Sequence, residues 1–453
     1  MTDDRSALPG FPAGFRWGVS TAAYQIEGAV YDDGRGPSIW DTFAHTPGRI
    51  KNGDTGDVAC DHYRRWAQDV ALMDDLGIDA YRFSIAWPRV QPTGSGAPNA
   101  VGLDFYDRLV DALLERGIRP LPTLFHWDLP QALQDLGGWM NRETAYRFAD
   151  YAERTAARLG DRVKSWITLN EPIVHLTYGY AFGMHAPGEA LMFDALPAGH
   201  HQLLAHGLAV PVLREHGGEE ILISNNCTPV RAATQHPVDV AAATVYDTFH
   251  NRLFNDPVLL GTYPDLSPVG LPNDPAYIKP GDLEIISTRI DGLGINYYNP
   301  TSIAAADIAV TGLPFEFREI EDVPTTAFGW PVVPEGLTEL LVGLKERYGD
   351  ALPPITITEN GCSTTDEPAA DGAVHDVARI EFLDAHIRAL HDAIEAGVDV
   401  RGYLTWTLLD NFEWAEGYDQ RFGLVRTDYN TLKRTPKDSY YWYQAALAAQ
   451  KKS

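Results

Sequence analysis

Two glutamates stand at the ends of short apolar segments. Glu171 follows SWITLN, residues 165–170, and Glu359 lies within ITITEN, residues 355–360. A carboxylate in such a position is costly unless it has a partner or a chemical role. Two facing carboxylates could cleave a glycosidic bond, since one must attack as an anion and the other must supply a proton. Alternatively, each is salt-bridged within the protein. Under either interpretation Arg82 is a candidate partner, which would lower the pKa of an ionised carboxylate beside it.

Strand-like and helix-like segments alternate along the whole chain. Several of the strand-like segments are short, apolar and rich in β-branched residues, as is typical of strands buried on both faces. The predicted strands are Phe15–Ser20, Ala80–Ile85, Arg119–Phe125, Ser165–Asn170, Glu220–Asn225, Ile290–Asn296, Ile355–Asn360 and Val400–Trp406. The predicted helices cover residues 62–76, 103–116, 142–159, 198–216, 237–255, 335–348, 376–396 and 437–450.

This alternation predicts the α/β class and a single (β/α)8 TIM barrel spanning residues 1–453. The alternative is an open doubly wound sheet, which a domain boundary would be expected to split. No Ser/Gly linker or low-complexity segment marks such a boundary. The longest irregular stretch, residues 298–334, is predicted to be a loop over one face, because long loops in compact domains are usually functional.

Polar and aromatic residues cluster at the C-terminal ends of the predicted strands, where barrel enzymes place their chemistry. One polar residue at one strand end is usually structural, but polar residues at six or more strand ends indicate a common site. These residues are Gln25, Arg82, His126, Trp127, Asn170, Glu171, Asn225, Asn296, Tyr298, Glu359, Asn360, Trp406, Glu413 and Trp414. Indole rings suit the apolar faces of sugars, and amides and carboxylates suit their hydroxyls. The set therefore favours a carbohydrate site, although any single tryptophan is more often a core residue.

Composition and charge argue against several functional classes. The net charge of −26 argues against a nucleic-acid partner, since binding the phosphate backbone needs a basic surface. We interpret the acidity as a contribution to solubility. No apolar run reaches the roughly 18 residues of a membrane span. The N-terminus, MTDDRSALPG, has no signal-peptide core. We therefore expect a cytoplasmic protein, although a chain with its leader removed would look the same.

The cysteines and histidines do not form a metal-site pattern. Cys60, Cys227 and Cys362 are far apart and include no CxxC pair, so neither a zinc site nor a disulfide framework is predicted. This fits a reducing compartment. The segment HHQLLAH, residues 200–206, lacks the HExxH pattern and lies on a predicted helix, so we expect a packing or surface role. No metal or organic cofactor is implied.

Several motifs together resemble one known family. TLNEP and ITENG are similar to the signature pair of glycoside hydrolase family 1, the β-glucosidase family. FRWGVSTAAYQIEGA, YRFSIAWPR, FHWDLP, INYY and WTLLDNFEW match its pattern in the same order, and the resemblance covers residues 11–443. It implies a retaining, exo-acting β-glycosidase that acts on small β-glycosides, with β-D-glucosides as the best expectation. No oligomeric state is predicted.

The resemblance also implies a role for each matching residue. Glu171 is expected to be the general acid/base and Glu359 the nucleophile. Trp406 is expected to stack under the sugar ring, Tyr298 to hydrogen-bond the nucleophile, and Trp330 to line the leaving-group side. The residues expected to bind substrate are Gln25, His126, Trp127, Asn170, Tyr298, Trp330, Trp406, Glu413 and Trp414, with Arg82 and Asn296 in supporting positions.

Two other functions remain open at this point. One is a 6-phospho-β-glycosidase, whose family members have small and cationic residues where Glu413 lies in this chain. The other is a non-catalytic sugar-binding relative, against which the presence of both glutamates argues. For catalysis, the charge on Glu359 is expected to raise the pKa of Glu171, so that Glu171 starts in its protonated form.

Overall fold

The computed structural model describes residues 8–451, and eight parallel strands in it form a closed barrel. Each strand pairs with its neighbours along the chain, and the first pairs with the last. The strands are β1 Arg16–Ser20, β2 Ala80–Ser84, β3 Arg119–Phe125, β4 Ser165–Asn170, β5 Glu220–Asn226, β6 Gly292–Asn296, β7 Ile355–Asn360 and β8 Val400–Trp406. The predicted (β/α)8 barrel is confirmed, and the open doubly wound sheet is excluded.

Helices follow the strands and surround the barrel. The longer ones are α1 His62–Leu76, α2 Ala100–Leu114, α3 Glu143–Leu159, α4 Leu196–Glu215, α5 Pro237–Asp247, α6 Leu253–Leu260, α7 Glu335–Tyr348, α8 Val377–Glu395 and α9 Asp438–Gln450. Short α-helices are Ala23–Ile26, Ile39–Ala44, Trp87–Val90, Gln131–Gln134, Pro172–Val174, Asp282–Ile286 and Ile308–Thr311. Short 3₁₀ helices are Lys51–Gly53, Gly138–Met140, Met192–Ala195, Ser267–Val269, Gly349–Ala351 and Trp414–Glu416.

Two helical segments have the wider π geometry. They are His175–Ala181, directly after a short helix, and Thr248–Arg252, between α5 and α6. The single helix predicted for residues 237–255 is therefore wrong in detail, since the helical region continues to Leu260 through a π turn. π turns are rare and occur often at functional sites.

Alternation of side chains along the strands separates an apolar layer of the barrel from a polar one. Ala80 lies on the same face of β2 as Arg82, and Leu222 lies on the same face of β5 as Ser224. One buried apolar cluster joins five strands and consists of Ala80, Leu121, Ile167, Leu222 and Leu404. The polar side chains thus lie two residues closer to the C-terminal ends of the strands than the apolar layer.

The region predicted to be an irregular loop, residues 298–334, is only partly irregular. It contains the strands Thr301–Ala305 and Phe315–Arg318, which form a three-stranded sheet with Val230–Ala232. The prediction was wrong here because the strands are short and one partner lies about 70 residues away in the sequence. A separate two-stranded ribbon pairs Val425–Thr427 with Arg434–Pro436.

The cysteines and the HHQLLAH histidines have structural surroundings. All three cysteines are buried and free. His200, His201 and His206 are buried and hydrogen-bonded, to Tyr263 and Asp282, to the Trp139 carbonyl, and to Thr168. The predicted packing role is confirmed for these histidines. Within residues 8–451, no group of three His, Cys, Asp or Glu side chains is placed to hold a metal ion.

In the part of the chain that the structure describes, no helix has both the length and the apolar character needed to span a bilayer.

Candidate active site

A cavity of about 770 Å³ opens at the C-terminal ends of the barrel strands. The predicted site residues that line it are His126, Trp127, Glu171, Tyr298, Trp330, Glu359, Trp406, Glu413 and Trp414. The remaining predicted residues are fully buried behind this wall, and they are Gln25, Arg82, Asn170 and Asn296. Each of these four donates a hydrogen bond to a lining residue, so the structure brings together all the residues expected to act in catalysis, substrate binding or support.

Glu359 is the penultimate residue of β7 and accepts a hydrogen bond on each carboxylate oxygen. Arg82 Nη1 donates to Oε1 at 2.5 Å, and the Tyr298 hydroxyl donates to Oε2 at 2.7 Å. Burial raises the pKa of Glu359, while Arg82 and Tyr298 act in the opposite direction. A guanidinium and a phenol donor both favour the ionised carboxylate. Glu359 is therefore equipped to act as an anion inside a buried site.

Glu171 follows β4 and has a left-handed backbone conformation, with φ 44° and ψ 58°. The side-chain amides of Asn296 and Asn226 both donate to its Oε1, at 2.8 and 2.9 Å. This leaves Oε2 as the oxygen that can carry a proton. Burial, and then the charge on Glu359, raise the pKa of Glu171 to about 8. The predicted direction is confirmed, but the sequence-based reason was incomplete because burial is the larger cause.

Asn170 connects the two glutamates through the buried layer. Its Oδ1 accepts from Arg82 Nη2 at 2.5 Å and from Asn296 Nδ2 at 2.9 Å. Its own Nδ2 lies 2.9 Å from His126 Nε2. Burial, and then the charge of Arg82, lower the pKa of His126 well below its usual value, so the ring is neutral and Nε2 accepts. Strands β2, β4, β6 and β7 are thus joined by one network that fixes both carboxylates.

Glu413 lies on the other side of the cavity, in the loop after β8. Gln25 Nε2 donates to Glu413 Oε2 at 3.2 Å and is held by the Phe412 carbonyl at 2.9 Å. Burial, and then the charge on Glu359, raise the pKa of Glu413 to about 8. A neutral carboxylic acid can both donate to and accept from a sugar hydroxyl.

Aromatic rings form two walls of the cavity. In one wall the ring centroids of Trp127 and Trp414 are 4.6 Å apart, and His126 lies nearly parallel to Trp406 at 5.9 Å. In the other wall Trp330 stacks on Phe328 at 4.4 Å and contacts Tyr298 at 5.2 Å. Such rings offer apolar faces to a sugar and to its aglycone.

Two strand-end asparagines predicted near the cavity point elsewhere. Asn225 donates to Asn255 at 2.7 Å, and Asn360 donates to the Tyr297 carbonyl at 2.8 Å. The residue that reaches Glu171 is Asn226, because β5 is one residue longer than predicted. In the sequence, the two adjacent asparagines at residues 225–226 were the feature that could have indicated this contact. Which of the two faces the cavity depends on where the strand ends.

Other lining residues have no motif that singles them out. They are contributed by the π segments, the three-stranded sheet and the loops, and include Tyr178, Met184, His185, His250, Phe317 and Glu416. Their position depends on how segments distant in sequence meet at the cavity rim.

The chain matches the sequence model described as glycosyl hydrolase family 1 over residues 8–452. Beta-glucosidase A of Thermotoga maritima is 48% identical, with 96% of each chain covered. The crystal structure of a psychrophilic beta-glucosidase from Micrococcus antarcticus has a TM-score of 0.94 at 48% identity, covering 98% of both chains. A Thermotoga maritima beta-glucosidase in complex with glucoimidazole has a TM-score of 0.92 at 48% identity, covering 97% of this chain and 99% of that one. Through this match along almost its entire length, the chain belongs to glycosyl hydrolase family 1.

Proposed function

We propose that the protein is a retaining, exo-acting β-glucosidase that releases terminal nonreducing β-D-glucosyl residues, with the barrel as its single catalytic domain. The observation that carries this proposal is the contrast between two glutamates of one cavity. Glu359 accepts from a guanidinium and a phenol, whereas Glu171 accepts from two amides and has a pKa raised to about 8. Family membership and relatives named beta-glucosidases support the glucoside as substrate.

In the first step Glu359 attacks the anomeric carbon as a carboxylate. The glycosidic C–O bond breaks, an ester bond from Glu359 to the sugar forms, and Glu171 transfers its proton to the departing oxygen. The aglycone leaves as a neutral alcohol. Arg82 and Tyr298 hold Glu359 in place for this attack through their hydrogen bonds to its two oxygens.

In the second step Glu171 acts as a base. Once Glu359 is an uncharged ester, the repulsion that helped to raise the pKa of Glu171 is removed, so the ionised form becomes favourable. Glu171 takes a proton from water, the water oxygen attacks the anomeric carbon, and the ester bond breaks to regenerate the Glu359 carboxylate. Two inversions at one carbon give net retention of the β configuration.

The sugar would be held by the groups around Glu413 and His126. We assign the hydroxyl contacts to Gln25, His126, Asn170, Glu413 and Trp414, and ring stacking to Trp406. Gln25 and Asn170 are fully buried, and they also orient Glu413 and His126 by hydrogen bonds. Trp127 and Trp330 complete the aromatic walls. Asn296 supports Glu171.

The biological setting follows from this assignment. Short β-linked glucosides, including cellobiose, are the proposed natural substrates. We also propose a cytoplasmic location, which the three free cysteines support, because thiols stay reduced in that compartment.

The test is the hydrolysis of 4-nitrophenyl β-D-glucoside, with the product anomer followed by proton NMR in the first minutes. We expect β-glucose to appear before mutarotation produces the α anomer. Initial α-glucose would contradict the double displacement. Absence of turnover by folded protein would instead support the non-catalytic sugar-binding alternative.

A further inference from the structure

A second cavity, of about 360 Å³, adjoins the cavity of the two glutamates. We call it the side cavity. The residues that line both cavities are Val174, Tyr178, Met184, Tyr246, His250 and Phe317. Met184 and Phe317 are more than half exposed, at 58% and 60%, so the shared boundary is a rim rather than a closed core.

Two π segments form the walls of the side cavity. His175–Ala181 contributes Tyr178 and Ala181, and Thr248–Arg252 contributes Phe249 and His250. π segments are rare and occur often at functional sites, so two of them beside one cavity indicate a functional site independently of the cavity's volume. They also place the side cavity next to Glu171, because His250 Nε2 lies 3.0 Å from Asn226 Oδ1 and Asn226 donates to Glu171.

The lining of the side cavity is almost entirely apolar. Of the described residues that form it, none is Asp, Glu, Lys or Arg. Burial lowers the pKa of His250 to about 4, so the one imidazole of the lining is neutral. A hydroxyl-rich second sugar would lose hydrogen bonds to water that these walls cannot replace, whereas an alkyl chain has no such hydrogen bonds to lose. Met184 and Met192 are unbranched and flexible, and such side chains adapt to chains of different length.

We propose that the side cavity binds the apolar tail of an alkyl β-D-glucoside, so that among alkyl glucosides the enzyme binds those with a long aliphatic chain more tightly than those with a short one; this inference rests on the proposed β-glucosidase function. Glu171 protonates the leaving oxygen, so the aglycone emerges on the side of the site where Asn226 and His250 lie. The walls shared by the two cavities let a chain attached to that oxygen pass from one into the other.

The expected size of the effect follows from methylene burial. Each methylene that moves from water into an apolar site strengthens binding by about fourfold. The gain should accumulate with chain length and stop when the side cavity is filled. Partial burial of the chain reduces the total, and we therefore expect at least a tenfold lower Kd for an octyl than for an ethyl glucoside.

The binding test uses ethyl, butyl, hexyl and octyl 1-thio-β-D-glucosides, whose sulfur linkage resists hydrolysis, below their micelle-forming concentrations. Dissociation constants are measured by titration calorimetry on the full chain. Met192→Lys places a charge in the side cavity and Ala181→Phe fills it, and neither residue lines the catalytic cavity. Both variants should bind the ethyl compound as the wild type does and lose most of the gain for the octyl compound.

Leu136→Lys is the matched control, since Leu136 is 70% exposed and lines neither cavity. It should keep the wild-type dependence on chain length. A wild-type Kd that does not change from ethyl to octyl overturns the inference, as does a gain that survives in both side-cavity variants. Hydrolysis of 4-nitrophenyl β-D-glucoside by the same preparations tests the proposed function separately, so the two can fail independently.

Discussion

Asn226 Nδ2 donates a hydrogen bond to Oε1 of Glu171 at 2.9 Å. The other end of the same amide is fixed, because Asn226 Oδ1 lies 3.0 Å from His250 Nε2. An amide oxygen only accepts, so this imidazole nitrogen carries the hydrogen. A hydrogen bond to a carboxylate favours its ionised form, and Asn226 therefore lowers the pKa of Glu171 against the effect of burial.

The first prediction concerns this amide. Asn226→Ala should raise the pKa of Glu171, so the alkaline limb of kcat/KM, expected near pH 8, should move upward by about one pH unit. His250→Ala should shift it in the same direction and by less. The measurement is the pH profile for an alkyl β-D-glucoside. Asn225→Ala is the control because Asn225 bonds Asn255 instead, and an equal shift in that variant would remove the special role of Asn226.

The second prediction concerns the proton on Glu171. Glu171→Ala should slow alkyl glucosides by about 10²- to 10⁴-fold and activated aryl glucosides far less, since a good leaving group needs little protonation. The alkaline fall in wild-type kcat/KM, near pH 8, should also disappear in the variant for activated substrates. A series of aryl glucosides with different leaving-group pKa values measures the first effect. Equal losses across the series would reject the role of general acid.

The third prediction concerns the nucleophile. Glu359→Gly should lower the hydrolysis rate by several orders of magnitude, because the group that forms the covalent bond is gone. Azide can occupy the vacated space and attack from the same face, which would give an α-glucosyl azide from an activated β-glucoside. NMR of the product identifies its configuration. Ordinary hydrolysis by the variant in the absence of azide would remove Glu359 from this role.

The sequence was informative where the signal was local. The apolar runs that end at Asn170 and Asn360 marked their strands to the residue, and both glutamates followed from those ends. Asn226 could not be assigned in advance, because the inward face of β5 depends on a strand end that pairs with β6. The side chains at the rim, such as Met184 and Phe317, belong to no motif that would have marked them in advance. Burial as the main cause of the raised pKa of Glu171 also required the packed structure.

The fourth prediction concerns Asp128, a fully buried residue two positions after His126. Burial raises the pKa of Asp128 to about 8, whereas the unfolded chain has about 4. Between these values the folded state binds a proton that the unfolded state does not, so this residue makes stability fall as pH rises through the window. Asp128→Asn has no carboxyl group at this position to titrate. The Tm of this variant relative to the wild type should therefore increase as pH rises from 4 to 8.

Thermal unfolding of both proteins across this pH range measures the difference for Asp128. Asp135→Asn, an exposed substitution of the same kind, is the control and should show little change with pH. A Tm difference between Asp128→Asn and wild type that is independent of pH would show that Asp128 titrates normally in the folded protein.

The last prediction separates glucosides from 6-phosphoglucosides. Of the described residues that line the catalytic cavity, the one with a guanidinium or ammonium group is Arg318, which is paired with Glu316. The acidic side chains of the lining are Glu171, Glu319, Glu359, Glu413 and Glu416. A phosphate adds roughly −1.5 to −2 charges. One like-charge pair at about 4 Å costs on the order of 4 kcal/mol at an effective dielectric of about 20, and half of that already gives about a 30-fold preference.

The raised pKa of Glu413 adds a pH dependence to this preference. Glu413 is expected to contact the sugar at its 4- and 6-hydroxyls, and its pKa of about 8 keeps it largely neutral at pH 7. Discrimination against the phosphate should therefore increase as pH rises through about 8. The measurement is the ratio of kcat/KM for 4-nitrophenyl β-D-glucoside and its 6-phosphate, in which the titration of Glu171 cancels. Glu413→Gln should make the ratio smaller and independent of pH above about 7, where the phosphate is already ionised. A wild-type ratio that favours the phosphate would overturn both the role of Glu413 and the substrate class.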